Sequence, residues 1–477
     1  MAHKSQTQRK QILSDPLAEF STAYPDASTD DKNQLSDLCN KSRLLKANLN
    51  DAIDKIKITS KKIGEAKKNN LPAIDLIQSM QALSIERKSI ESSLRSIEDQ
   101  IIDCFPASRD VISPSSIVIS DSANNRYRIS DININDITVS LLKNEDEAWN
   151  SYVLNQPAAC IHHLTHWRDI FYKTYKLESL YYFAQDKNKN VVGILPLTRL
   201  KSRLFGDLLV SMPYFQRGGA VADHPLIEDK LMQAAANEAS LRNINHIELR
   251  DDAARNGMPV QSHKVNMILS LPESDDMLWD SFTPKLRAQI KRPLQHSPQI
   301  FIGGREYLDD FYQVYTQNMR DLGSPAHSKQ LIENIIEQFP DSSWVITVRL
   351  NNKPVSAAFL LGHDDTIEIP LASTIRSANR HSINMLLYWT ALKLSIKYGY
   401  KYFDFGRSSI DAGTYRFKQQ WGAEPKQLYW HYWLSKGSEL PSLNPSNPKY
   451  RFIIHIWTKM PVFLSRLLSR IIVQNIP

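Results

Sequence analysis

The chain has 477 residues, with 58 Lys+Arg against 51 Asp+Glu for a net charge of +7, and 42% of its residues are hydrophobic. That apolar share excludes a wholly disordered chain, and at ~100–200 residues per domain the length allows roughly two to four domains. Cys39, Cys104 and Cys160 lie far apart, without a CxxC pair or zinc spacing, so neither a metal centre nor a disulfide framework is expected.

The opening MAHKSQTQRKQILSDP lacks an apolar signal region, and no run reaches the ~18 apolar residues of a membrane span. A cytoplasmic chain is expected. Its basic balance points to polyanionic partners: nucleic acid, phosphorylated substrates or anionic lipid. Glycine divides the sequence, since only Gly64 precedes Gly193. Such a stretch suits helix, where an interior Gly costs about 1 kcal/mol. Residues 1–30 read as a flexible N-terminus. Within 31–110, Leu35, Leu38, Ser42, Leu45, Leu49, Ala52, Ile56, Thr59 and Ile63 recur three and four apart. Leu76, Met80, Leu83, Arg87, Ile90, Leu94, Ile97 and Ile101 do the same. The two heptad seams flank KKNNLPAID, a turn, and predict an antiparallel coiled-coil hairpin with an arm on the order of 40 Å long. Lys55, Lys57, Lys61, Lys62, Lys67 and Lys68 gather toward its tip. They form either a solvated face or a grip on a phosphate backbone.

The segment SRLLKANLNDAIDKIKITSKKIGEAKKNN, its partner helix and CFPAS resemble the N-terminal tRNA-binding arm of seryl-tRNA synthetases over roughly residues 31–110. The resemblance implies that Lys55, Lys61, Lys62, Lys67 and Lys68 contact tRNA. No synthetase catalytic motifs follow.

Residues 111–136 read as a linker with short β-like pieces (SIVIS, RYRIS). A strand (137–142), a helix from 147, strands at 181–183 and 191–197 around DKNKN, a helix (226–241) and a strand (246–249) follow. The order then repeats: strand 267–271, helix 276–291, helix 307–322, strands 344–350 and 355–362 around NNKP, strand 366–371, helix 382–398 and strand 402–405. Two α/β units are expected, at 137–263 and 264–435. Residues 436–477 form a Pro/Ser/Asn linker and a tail, RFIIHIWTKMPVFLSRLLSRIIVQNIP, with cations and no acid. The tail either lies on an anionic membrane face as a peripheral contact or packs on the protein's own core.

The densest candidate segment is FDFGRSS (403–409) followed by GTYRFKQQWGAEP (413–425). A strand ending in Gly-Arg-Ser makes a tight turn whose amides can face an anion. Tyr415 and Lys418, three apart, share a helical face. The segment resembles the C-terminal motif of the Fem-type peptidyltransferases, with nearest likeness to FemAB-related proteins of exosortase/PEP-CTERM exopolysaccharide systems. Further matching stretches are KLRAQIKRP (285–293), NMRDLG (318–323) and NMLLYW (384–389).

That resemblance covers about residues 140–435. It implies tandem GNAT-like acyltransferase domains, making the chain an α/β (α+β) protein behind its helical hairpin. It also implies aminoacyl transfer from aminoacyl-tRNA, with no cofactor. Lys418 takes the oxyanion-stabilising place, with Arg407, Tyr415 and Asp404 beside it as catalytic candidates. Glu368 is a second candidate carboxylate.

Arg287, Lys291 and Arg292 lie on a predicted helix suited to acceptor phosphates or to a solvated face. Arg376 and Asn384 flank STIRSANRHSIN, where acetyltransferases keep a Gly-rich pyrophosphate loop. This one has no glycine, which speaks against acetyl-CoA. Ser408 and the loop carrying Tyr214 and Arg217 (MPYFQRGG) complete the substrate-binding candidates, the Gly-Gly pair making an anion loop or a plain turn. His162, His163 and His166 lack the Glu of HExxH and read as a structural or solvent-exposed cluster. The arm and the core together suggest delivery of seryl-tRNA, with the acceptor a phosphate-bearing or sugar intermediate. The alternatives are an acyl-CoA-dependent transferase of the same fold and a non-catalytic RNA-binding protein.

Overall fold

The computed structural model describes residues 29–69, 74–104, 127–128, 132–202, 206–255, 257–437 and 448–476, with 13, 16, 17, 20 and 440 as isolated positions. SIVIS, most of RYRIS and most of the 436–450 linker lie outside the described residues. The chain forms two compact units, divided between residues 118 and 119.

In the first unit, α1 (Thr29–Lys68) and α2 (Ile74–Asp103) pair antiparallel. Leu35, Leu38 and Cys39 meet Ile97, Ile101 and Cys104 at one end, and Lys46 reaches Glu98 at 3.4 Å. Every predicted seam position is buried or half-buried, as the heptads require. Toward the tip, Lys55 pairs with Asp51 (2.6 Å), Lys57 with Asp54 (2.9 Å), and Lys62 is exposed. The side chains of Lys61, Lys67 and Lys68 lie outside the described residues.

The second unit is a mixed α/β body built on two sheets. Its first half runs β1 (Thr138–Leu141), α3 (Asp146–Asn155), α4 (His166–Tyr175), β2 (Glu178–Gln185), β3 (Val191–Ser202), β4 (Gly206–Val210), β5 (Val221–Ala222), α5 (Pro225–Leu241), β6 (His246–Asp251) and β7 (Val260–Gln261). Its second half runs β8 (Lys264–Ser270), α6 (Asp275–Ser281), α7 (Pro284–Lys291), β9 (Gln299–Gly303), α8 (Leu308–Leu322), α9 (Lys329–Gln338), β10 (Ser343–Leu350), β11 (Lys353–His363) and β12 (Thr366–Thr374). It continues through α10 (Arg376–Asn379), α11 (Ile383–Lys397), β13 (Tyr402–Ser409), α12 (Gly413–Gln419), β14 (Glu424–Gln427) and β15 (Tyr429–Leu434).

The sheet orders are β1-β2-β3-β4-β6-β15-β7, with β5 on β3, and β14-β8-β13-β12-β11-β10-β9. Residues 429–434, expected to end the second unit, instead pair with β6 (Tyr429 opposite Asp251) and complete the first sheet. Buried Asp251 holds that return in place, accepting from Arg255 Nε (2.8 Å) and His431 Nδ1 (2.9 Å).

Among the described residues each sheet has one parallel pair, and in both it spans only three residues before the strands splay. Leu208–Val210 pair with His246–Glu248, and Thr366–Glu368 pair with Tyr402–Asp404, while β12 and β13 run on to Thr374 and Ser409. The tandem architecture is therefore a repeat of backbone geometry. One apolar cluster joins Trp149, Trp167 and Phe171 of the first half to Phe311, Tyr315 and Phe359 of the second, fixing the halves to each other.

One expectation is corrected locally. The single helix expected over 276–291 breaks at Phe282, because Thr283 caps α7 (Oγ1 accepts from the Leu286 amide at 3.3 Å) and Pro284 opens it. The tail α13 (Pro448–Lys459) and α14 (Val462–Ile472) pack on the core. Trp457 Nε1 donates to the Ser324 carbonyl (3.1 Å), Arg466 Nε to Thr316 Oγ1 (2.8 Å), and the Ala326 amide to Ser469 Oγ (3.0 Å). The buried face of α14 is Ser465 and Ser469, whereas Phe463, Leu467 and Ile471 are 74%, 61% and 61% exposed.

Candidate functional site

Where β12 and β13 part, Glu368 and Asp404 are the last register partners. Beyond them β13 bulges, with Gly406 at φ +76° and a register shift against β8. The Gly-Arg-Ser stretch is thus a bulge inside a strand, not its terminal turn. The Gly406 amide donates to Asp404 Oδ1 and Asn266 Nδ2 to Oδ2, each at 2.6 Å. Burial, reinforced by Glu368, raises Asp404 to about 6 despite these donors.

Lys418, 7% exposed on α12, turns into the bulge. Its Nζ donates to the Gly406 carbonyl (2.9 Å) and the Arg407 carbonyl (3.0 Å). An ammonium has three donors, so one remains for a ligand. Burial lowers Lys418 to about 8, only partly opposed by Asp404.

The first half completes the site. The 3-10 turn Ile161–His163 places His162 Nε2 3.0 Å from Glu368 Oε1. Arg217, paired with Asp252 at 2.7 Å, adds positive potential felt by Cys160, Asp404 and Glu368. Arg407 lies over the Trp430 ring at 4.6 Å, and Arg250 lies against the same ring at 4.4 Å. The equivalent splay of the first half is filled from within: Arg250 Nε binds Glu248 (2.8 Å) and its Nη1 binds the Phe215 carbonyl (2.7 Å). Only the second splay gathers carboxylates, cations and a thiol.

The structure therefore brings together Asp404, Lys418, Arg217 and Glu368, while Arg407 offers its carbonyl to Lys418 and turns its guanidinium to Trp430, Arg250 and Glu248. Ser408 lies on the same strand, buried, with its Oγ lacking a hydrogen-bond partner among the described residues. Tyr415 packs against the second core. The other candidates have contacts elsewhere. Tyr214 OH donates to the Gln474 carbonyl (3.1 Å), under the tail. Arg287 faces Asp280 (3.7 Å), Lys291 lies over Trp279, Arg292 is exposed, and Arg376 donates to the Asp321 carbonyl (3.0 Å). Asn384 is half-buried in the first turn of α11.

Two anion-loop readings are settled by where backbone amides go. Those of Gly218 and Gly219 both donate to the Arg250 carbonyl (3.1 Å), so that loop is a close-packed turn: a Cβ on Gly219 would strike Asp251. In the glycine-free segment, the amides of Ala378, His381 and Ser382 are spent on its own carbonyls.

His162 and His163 are buried parts of the site rather than a surface cluster, and no metal-binding group of three His, Cys, Asp or Glu exists among the described residues. Sequence reasoning passed over Cys160. The Cys-x-His-His spacing was its one signal, and the Glu368 partner lies 206 positions from His162.

Residues 284–419 match the family model described as acetyltransferase (GNAT) domain. The second half carries a GNAT-type acyltransferase domain. No curated protein matches the chain in sequence. Among solved structures, it is similar to FemX (14% identity, TM-score 0.48, 61% of this chain and 96% of that one). It is similar also to a tandem GNAT protein of the clavulanic acid biosynthesis pathway (10%, 0.42, 64% and 100%). A third similarity is to the C-terminal domain of a putative lysylphosphatidylglycerol synthetase from Agrobacterium fabrum (10%, 0.41, 60% and 91%). No helix among the described residues is long and apolar enough to cross a membrane.

Proposed function

We propose that this GNAT-like acyltransferase is of the Fem type and takes an aminoacyl group, seryl in the first instance, from aminoacyl-tRNA. The acceptor is a cell-envelope or exopolysaccharide intermediate bearing a phosphate or a sugar. The observation that carries the donor choice is the segment between β12 and α11. It has no glycine, the amides of Ala378, His381 and Ser382 are spent on its own carbonyls, and Arg376 donates to the Asp321 carbonyl, which speaks against a CoA pyrophosphate there. The lysine-bearing hairpin supports an RNA carrier.

In this reading the acceptor's amine or hydroxyl, or a nucleophile of the protein, attacks the ester carbonyl. The remaining Lys418 N–H meets the developing oxyanion, and Asp404, ionised above about pH 6, accepts a proton. The acceptor arrives at a membrane surface: Phe463, Leu467 and Ile471 face outward beside Arg470, and residues 448–476 contain no acid.

The test is incubation of the protein with individually charged tRNAs plus small molecules from a lysate. Accelerated deacylation of one ester, dependent on Lys418, is expected. The rival is an acyl-CoA donor, favoured by the acetyltransferase description of the family model. Micromolar binding of CoA by isothermal titration, without deacylation of any charged tRNA, would establish that rival.

A further inference from the structure

The turn that closes the site from the first half carries a thiol whose surroundings are those of a nucleophile. His163 is committed: its Nδ1 accepts from the Cys160 amide (3.0 Å) and its Nε2 donates to the Gly219 carbonyl (3.0 Å). Its Nδ1 also lies 3.3 Å from Cys160 Sγ. His162 is set the other way round. Its Nε2 donates to Glu368 Oε1 (3.0 Å), which leaves Nδ1 directed at Cys160 Sγ, 3.7 Å away. Phe215 and Trp167 hold the ring from its sides, with centroids 4.3 and 5.5 Å away.

Cys160 is half-buried while both histidines are buried, so it is the most exposed residue of the three. Sulfur, imidazole and carboxylate thus stand in the order nucleophile, base, orienting group. The base and nucleophile come from one half and the orienting group from the other, so the constellation exists only in the tandem.

We propose that Cys160 is the nucleophile of this site and carries the acyl group as a thioester, with His162 as its base and Glu368 as the positioning residue of His162. This rests on the acyltransferase reading and deepens it. The charged and titratable groups around the sulfur are His162, His163, His363, Arg217, Glu368 and Asp404. Burial pushes the Cys160 thiol up, but His163 and His162 outweigh it and hold the thiol well below its ordinary range. Burial lowers His162, yet Glu368 and the sulfur together raise it to about 10. At neutral pH the proton therefore sits on His162.

In the first step the thiolate attacks the donor carbonyl, a C–S bond forms, the ester C–O bond breaks, and the leaving ribose oxygen takes the proton from His162 Nδ1. In the second, the acceptor's amine or hydroxyl attacks the thioester and gives its proton to Asp404, which releases it to solvent while His162 takes a proton back from solvent. The C–S bond breaks and the thiolate returns. A CoA thioester would enter by the same first step, its own thiol leaving instead of the ribose hydroxyl.

The test has two arms on the full chain. Iodoacetamide alkylation of Cys160, followed by peptide mass, reads the thiolate without any substrate. The wild-type rate is expected to change less than about threefold between pH 6 and 8, against on the order of 75-fold for a thiol of pKa ~8.5. His162→Asn is expected to restore the steep profile, and Glu368→Gln to move toward it. In the second arm, acid quench after mixing with tRNA charged with 14C-amino acids, or with 14C-acetyl-CoA, should leave a hydroxylamine-labile label on the wild type. Cys160→Ala should abolish that label and reduce transfer at least 100-fold.

A steep wild-type alkylation profile overturns the proposal, as does transfer by Cys160→Ala within threefold of wild type. The latter leaves the Fem-type reading intact. Labelling from acetyl-CoA alone upholds the nucleophile and overturns the tRNA donor. If the wild type turns over neither donor, the donor reading fails and the alkylation profile decides the state of the thiol.

Discussion

Asp404→Asn separates the chemical role of this carboxylate from its structural one. In the folded chain Asp404 is raised from 3.8 to about 6, chiefly by burial and then by Glu368. A shift of that size corresponds to about 3 kcal/mol lost from stability once the group must ionise. The sign follows from proton binding. Between about pH 4 and pH 6 the folded state holds the proton more tightly than the unfolded state, so stability falls as pH rises through this window and stays low above it. An amide removes the charge. It keeps one acceptor for the Gly406 amide, and its new N–H has a partner in Asn266 Oδ1, which is unpartnered in the wild type once the Asn266 amide is accounted for. Asp404→Asn is therefore expected to be more stable than wild type at pH 7.5 by up to about 3 kcal/mol, less about 1 kcal/mol for altered hydrogen bonds. The gap should close by pH 4.5, while transfer at pH 7.5 falls at least 100-fold, the lower range for a general base. Urea unfolding at both pH values reads the first part, and deacylation of charged tRNA the second. A variant less stable than wild type at pH 7.5, or a gap that ignores pH, would refute the reasoning.

Lys418→Ala should lower transfer by 10²–10³, about 2.7–4 kcal/mol, with tRNA affinity by filter binding unchanged. Its stability should also drop, because the Gly406 and Arg407 carbonyls lose their donor. Wild-type transfer should decline above about pH 8 as the Lys418 ammonium is lost, measured as kcat against pH. Gly219→Ala should destabilise the first half by on the order of 3 kcal/mol in thermal unfolding, since the new methyl displaces Asp251 from Arg255 and His431. Phe463→Glu with Leu467→Glu should abolish co-sedimentation with vesicles of anionic phospholipid and leave thermal unfolding within about 1 kcal/mol, because both side chains are exposed.

Much of the fold was legible because it rests on local periodicity. The heptads of α1 and α2, the hairpins around DKNKN and NNKP, and the repeated order of strands and helices are all written in short windows of sequence. Residues 429–434 were placed within the second unit although they pair in the first sheet, because strand pairing is non-local: nothing in the aromatic-rich YWHYWL names β6 as its partner. The helix Lys329–Gln338 and strand Gln299–Gly303 are short and were missed, although Ser328 and Pro340 flank the one and Pro298 and Gly304 the other. At the site, Asp404, Arg407 and Lys418 were found because one contiguous motif holds them. Cys160, His162 and Glu368 meet only through the packing of the halves, and a thiol two residues before a histidine has no chemical meaning until the carboxylate arrives. The glycines of 218–219 left both readings open, since close approach to Asp251 and binding of an anion require the same residue.

The central claim is that the acyl group is handled where β12 and β13 splay, under the turn carrying Cys160. Photo-crosslinking tests it most directly, using an aminoadenosine amide that mimics the charged end of tRNA and bears a diazirine on its acyl side chain. Mass mapping should place the label on peptides spanning 158–165 and 402–409. Labelling confined to the first-half splay around residues 206–222, or to the hairpin arm, would contradict the account.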